Sequence, residues 1–128
     1  MQPRTGDQAL KGRIEAHAQP DARRRIEVPE WAERDEAGNL VDGGKPLVIT
    51  YTMVTLQELA EVEAVTAGKG FSDQAPHIVA LKACDEDGKP MFKRMDHIFL
   101  RDRAAPEVVR RIALEMLGRV TVEDARKN

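Results

Sequence analysis

The residues with the widest chemical reach are few: Cys84, three histidines (His17, His77, His97) and the acidic run Asp85-Glu86-Asp87-Gly88. A calcium loop of the EF-hand type needs oxygen ligands at alternate positions, its glycine sixth and a glutamate twelfth, so that the chain wraps one ion. Placing Gly88 sixth puts Ala83 first, where an acid is required, so the run reads instead as a charged turn after a helix. No two histidines have the spacing that sets two zinc ligands on one helix face, and Cys84 has no C-x-x-C partner. Cys84 with a histidine is a conceivable nucleophile–base pair. However, it follows Ile78 and Leu81 on what reads as one apolar helical stripe, where a free cysteine is ordinarily a small core residue. No G-x-S-x-G, P-loop or G-x-G-x-x-G pattern occurs, and Gly68-Lys69-Gly70 lacks the rest of any phosphate-binding motif. The expectation is a chain without catalytic residues, metal or cofactor.

The elements that would position these residues follow from periodicity and punctuation. Residues 1–22 are polar, with Pro3, Gly6, Gly12 and Pro20. They read as a flexible N-terminal arm, with a thin-faced helix over 8–17 as the alternative. Arg23-Arg24-Arg25 flanks a short strand beginning at Ile26-Glu27-Val28, which Pro29 confines to an edge. A loop over 34–46 carries the turn signals Gly38-Asn39 and Asp42-Gly43-Gly44, and the β-branched stretch 47–53 reads as the second strand. Two strands around a loop make a hairpin that must pack on helices to be stable.

The rest reads as helix. Thr55-Leu56-Gln57-Glu58 is a capping box, opening a helix with Leu56, Leu59, Ala60 and Glu63 on one side that Gly68-Lys69-Gly70 stops. Ser72 is placed to cap a second helix with Pro76 in its first turn, and Asp96 a short third one through Leu100. Pro106 begins the clearest helix, in which Val108, Val109, Ile112, Ala113, Met116 and Leu117 recur at helical spacing before Gly118. Residues 121–128 form a tail with room for one frayed turn after Thr121. No internal repeat is visible. The fold class expected is α+β: a small, predominantly α-helical domain over residues 23–120 with an N-terminal β-hairpin.

A chain of 128 residues fits one such domain. Twenty basic and 22 acidic residues give a net charge of −2, the wrong balance for general nucleic-acid binding, which needs an excess of clustered cations. One cysteine excludes a disulfide within the chain and suits a reducing cytoplasm. The longest apolar runs, such as Leu47-Val48-Ile49, fall far short of the roughly 20 residues a membrane helix needs. With five aromatic residues in all, the core must be built from aliphatic side chains and methionine. Met91, Phe92 and Met95 beside the acidic turn are the best candidates for exposed apolar contacts, because methionine re-packs readily against different partners.

The order of segments resembles a known family. Val28-Pro29-Glu30-Trp31 leads into a strand and a capped helix. A second helix then runs into Leu81-Lys82-Ala83-Cys84-Asp85-Glu86-Asp87-Gly88-Lys89-Pro90-Met91-Phe92, followed by Asp96 and the amphipathic helix over 106–117. Over residues 26–118 this is similar to the tail assembly chaperones of long-tailed, siphophage-type bacteriophages and prophages. The long loop at 34–46 departs from the resemblance. What it implies is a non-enzymatic role. Such proteins coat the tape-measure protein, recruit tail-tube subunits, self-associate in spiral assemblies and are absent from the finished virion. In many of them a ribosomal frameshift near the end of the gene adds a second domain. Lys127-Asn128 is compatible with a slippery A-AAA-AAC sequence. On this reading the partner-binding residues are Met91, Phe92, Met95 and Ile98 together with Val108, Ile112 and Met116. The competing reading is a head–tail connector or other structural adaptor of the phage.

Overall fold

In the computed structural model the described residues are 6–118. The tail 121–128 with its Lys127-Asn128 pair, and the first residues of the N-terminal arm, lie outside them. Helix α1 (Gly6–Ala18) is followed by strand β1 (Arg24–Val28), a 3-10 turn (Pro29–Trp31) and strand β2 (Leu47–Tyr51). Then come α2 (Leu56–Val65), α3 (Phe71–Lys82), a second 3-10 turn (Arg94–Asp96), α4 (His97–Arg103) and α5 (Pro106–Met116). The fold is α+β, helical with one antiparallel hairpin near the N-terminus, as the sequence predicts.

The hairpin pairs Arg24 with Tyr51, Ile26 with Ile49 and Val28 with Leu47. Period-two alternation turns Ile26 and Val28, with Ile49 and Tyr51, onto the core, and leaves Arg25 and Glu27 in water. The core continues through Ile78 and Val79 of α3 into Val108, Val109, Ile112, Ala113 and Met116 of α5. Helix α3 is the central element: it packs against α5 on one side and against α2 and α4 on others. Pro29-Glu30-Trp31 fastens the hairpin to α5. Trp31 packs on the core, and Glu30 makes a two-pronged ion pair with Arg111 at 2.6 and 2.8 Å. The Arg111 guanidinium draws the Glu30 carboxyl down to about 2. The Tyr51 hydroxyl donates at 3.1 Å to the Glu115 carbonyl in the last turn of α5, which also accepts from the Gly118 N–H at 3.0 Å.

Several local expectations are corrected. Of the two readings of 8–17, the helix is the one that forms, inside α1, with Leu10 and Ile14 51% and 57% exposed. The Arg24 guanidinium reaches the end of that helix, donating to the Ala18 carbonyl at 2.9 Å. On α2 the buried side chain is Val62, whereas Leu56 is 86% exposed. Gly70, not Ser72, occupies the N-cap of α3, and Pro76 lies within that helix, beyond its first turn. Asp96 spends its carboxylate on the Lys93 N–H at 2.7 Å, closing the 3-10 turn before α4. Cys84 is not on the helical stripe. Helix α3 ends at Lys82, and Cys84 forms a one-residue third strand, exchanging two 2.8 Å backbone hydrogen bonds with Thr50. The helix stops there because the chain is needed by the sheet.

One repeat does exist, at the scale of a turn. Asp35-Glu36-Ala37-Gly38-Asn39 and Asp85-Glu86-Asp87-Gly88-Lys89 fold identically. In each the aspartate N–H donates to the carbonyl four residues on, at 2.9 and 2.8 Å. Each aspartate Oδ1 also accepts from the N–H groups two and four residues ahead. Each glycine sits at φ +84°. The left-handed glycine lets the strand-like ends Arg34/Leu40 and Cys84/Pro90 pair across the turn. The acidic run is therefore a hairpin turn whose first carboxylate is consumed by its own backbone. Gly88→Ala is expected to cost about 1–2 kcal/mol, since an alanine is strained at that φ and its Cβ meets the Arg23 guanidinium at 3.1 Å. Chemical denaturation is the check. A loss below a few tenths would mean that this turn is not part of the cooperative unit.

Candidate partner-binding groove

The side of α3 away from α5 forms the floor of a groove of about 730 Å³. Pro76, His77, Ala80 and Leu81 rise from the floor; Val62 and Val65 of α2, with Thr66 just beyond its end, form one wall. Phe92, Met95, His97 and Arg101, from the second 3-10 turn and α4 and the stretch before them, form the other. Pro76 and Ala80 are buried, and the base they form is apolar. The walls are apolar too, but in contact with water, Val65 being 63% exposed and Met95 64%, as is Leu81 on the floor at 48%. The mouth carries both signs, Glu61 and Asp73 against Lys69, Arg94 and Arg101. Arg101 is partly neutralised by a two-point contact with Asp102 at 2.7 and 3.1 Å.

At the seam between floor and wall, the rings of His77 on α3 and His97 on α4 stack face to face, with centroids 3.9 Å apart and planes 22° from parallel. His97 Nδ1 lies 2.9 Å from the Arg94 carbonyl, which can only accept, so the proton of the neutral ring is assigned to Nδ1. The His77 pKa is lowered, first by burial and then by the neighbouring His97 and Arg101, with Asp73 acting in the opposite sense. Stacked rings place their nitrogens side by side rather than around a common point. Among the described residues no group of three or more His, Cys, Asp or Glu side chains is arranged to hold a metal ion.

The residues singled out from sequence separate into three sets. Met95 and Phe92 line the groove, Met95 exposed and Phe92 half-buried. Met91 is half-buried against the core, while Ile98 is 38% exposed on α4. Neither lines the groove. Val108, Ile112 and Met116 are 2%, 0% and 2% exposed and belong to the core, so the fold does not present them to a partner. Their spacing marks an apolar helix face, and α3 covers it. The groove residues that the sequence reading missed are Val65 and Leu81, the latter assigned to a buried stripe. The signal was available: Ala75, Ile78, Val79 and the stem of Lys82 already complete the inward face of α3, leaving Leu81 outside it. No helix among the described residues is long and apolar enough to cross a membrane. Comparison of the chain with protein-family models, with curated proteins and with solved structures returned no match in any of the three.

Proposed function

We propose that this chain is a tail assembly chaperone of a long-tailed phage or prophage, acting without catalysis in the bacterial cytoplasm. Its groove takes the apolar stripe of a tape-measure helix and keeps that helix soluble while tail-tube subunits are recruited. The observation that carries the reading is the groove itself: Val65, Leu81 and Met95 stand in water on the walls and floor of one concave surface. An amphipathic helix laid in a groove is anchored by side chains at i, i+3 or i+4 and i+7, and burying them removes apolar surface from water on both partners. Charges of both signs at the mouth suit a helix whose stripe is flanked by mixed polar residues. The likeness of the Val28–Trp31 and Asp85–Phe92 segments to that family supplies the identity of the partner.

The test is co-expression with the tape-measure protein, followed by pull-down. The tape-measure protein should be soluble only with this chain and should be retained by it. The double variant Leu81→Lys/Met95→Lys should retain at least about tenfold less, because each lysine places a charge against the incoming stripe. Both positions are exposed, so its melting temperature should stay within about 2 °C of the parent. A tape-measure protein equally soluble without the chain would defeat the proposal. Retention of portal or capsid proteins instead would favour the connector reading.

A further inference from the structure

We propose that the His77–His97 stack is a proton-sensitive latch that holds α4 against α3 when at least one ring is neutral and loosens that wall of the groove when both are charged. The geometry supplies the argument. The two rings come from different helices and meet face to face at 3.9 Å, so they form part of the seam between them. A neutral pair is an apolar contact, and a singly protonated pair is still attractive, a cation over a π face. The second proton puts two like charges a few ångströms apart, which is repulsive at any reasonable effective dielectric. The 2.9 Å contact of His97 Nδ1 with the Arg94 carbonyl ties that ring to the 3-10 turn before α4.

The charged groups around the pair do not cancel it. On α3, Asp73 favours protonation; on α4, Arg101 opposes it. Arg94 sits in the 3-10 turn before α4, and from α2 and the loop after it Glu61 and Lys69 face the same groove. Leu100, 2% exposed, is the apolar anchor against which the charged rings must work. The sign follows from His77. A folded-state pKa below the unfolded value means that the latch is closed above about pH 6.5 and lost progressively as pH falls through and below it. Opening follows the second proton, because only the doubly charged pair is repulsive.

The consequence for partner release rests on the groove being the docking site. The latch itself is tested on the free protein, so the two ideas fail separately. Hydrogen exchange at the α4 amides, corrected for intrinsic rates, should be at least about threefold faster at pH 5 than at pH 8, because opening relieves the repulsion between the two charged rings. The α5 amides should not change. His77→Phe keeps a stacked ring but allows only one charge, and His97→Gln keeps a donor for the Arg94 carbonyl. In each, the pH dependence at α4 should vanish. PH-independent exchange in the wild-type protein, or an undiminished acceleration in both variants, would overturn the latch.

Discussion

Ile112→Ala is expected to lower stability by about 3–4 kcal/mol, in the upper part of the range for aliphatic truncations. Ile112 is fully buried at the middle of α5, on the face that meets α3, among Ile78, Val79, Val108 and Val109. Removing its outer carbons forfeits their transfer free energy and leaves a cavity whose cost depends on how far the walls can collapse. Here the neighbours are mostly β-branched and held to one preferred χ1 in a helix, so they cannot swing into the space. Met116, one turn along, is flexible and recovers part of the loss, which keeps the estimate below the top of the range. Ile112→Val should cost only about 1 kcal/mol, and Leu56→Ala, at an 86% exposed position, less than about 0.5. Urea unfolding with an unchanged m-value is the measurement. A loss under 1 kcal/mol for Ile112→Ala would mean that α5 does not dock on α3 as described.

The contrast between Ile112 and Met95 shows what the sequence can and cannot disclose. Helix α5 was legible almost to the residue because local signals agree: proline at its start, an unbroken 3.6-residue apolar period, and Gly118 at φ +73° beyond its end. The Thr55–Glu58 capping box was legible for the same reason, and both of its hydrogen bonds form. Periodicity, however, reports only that a face is apolar; which apolar faces are covered is decided by long-range packing. Val108, Ile112 and Met116 therefore looked as suitable for a partner as Met95, although α3 buries them and leaves Met95 64% exposed. The same limit hid the departure of Cys84 from α3, since a bridge to Thr50, 34 residues away, fixes it. The His77–His97 contact, between residues 20 positions apart on separate helices, has no local signature at all. The twice-used Asp-Glu-x-Gly turn did have one, and it lay below the length at which repeats are usually sought.

Glu58→Ala is expected to be the second costly change, at about 2–3 kcal/mol, because one carboxylate serves two ends of the structure. It accepts from the Thr55 backbone N–H at 3.0 Å and from the Thr55 hydroxyl at 3.3 Å, completing the cap of α2. It also meets the Lys82 ammonium at 3.2 Å through both oxygens. The Lys82 side chain is only 9% exposed, and its other partner is the Thr52 hydroxyl at 3.0 Å. Losing the carboxylate's half of the capping box costs under about 1 kcal/mol, because the Thr55 hydroxyl still accepts from the backbone N–H of residue 58. The remainder is the penalty of leaving a largely buried cation without its counter-charge, reduced from the fully buried case because Glu58 keeps 27% of its surface in water. Burial pushes the Glu58 pKa up, yet the hydrogen bonds from Thr55 and Lys82 outweigh it and hold the carboxyl below its ordinary value of 4.5. A depressed carboxylate contributes stability that is complete above the unfolded pKa and lost as pH falls through the folded one. The wild-type and Glu58→Ala proteins should therefore converge in stability as pH drops below about 4.5. Lys82→Met separates the two roles: it removes the cation, keeps the buried stem and leaves the cap in place, so it should cost under about 1.5 kcal/mol. In the Lys82→Met background, Glu58→Ala should then cost only the carboxylate's half of the capping box. A double-mutant cycle showing no coupling between the two positions would mean that the ion pair adds nothing to the docking of α2 on α3, and that the near wall of the groove is held by Val62 and its neighbours alone.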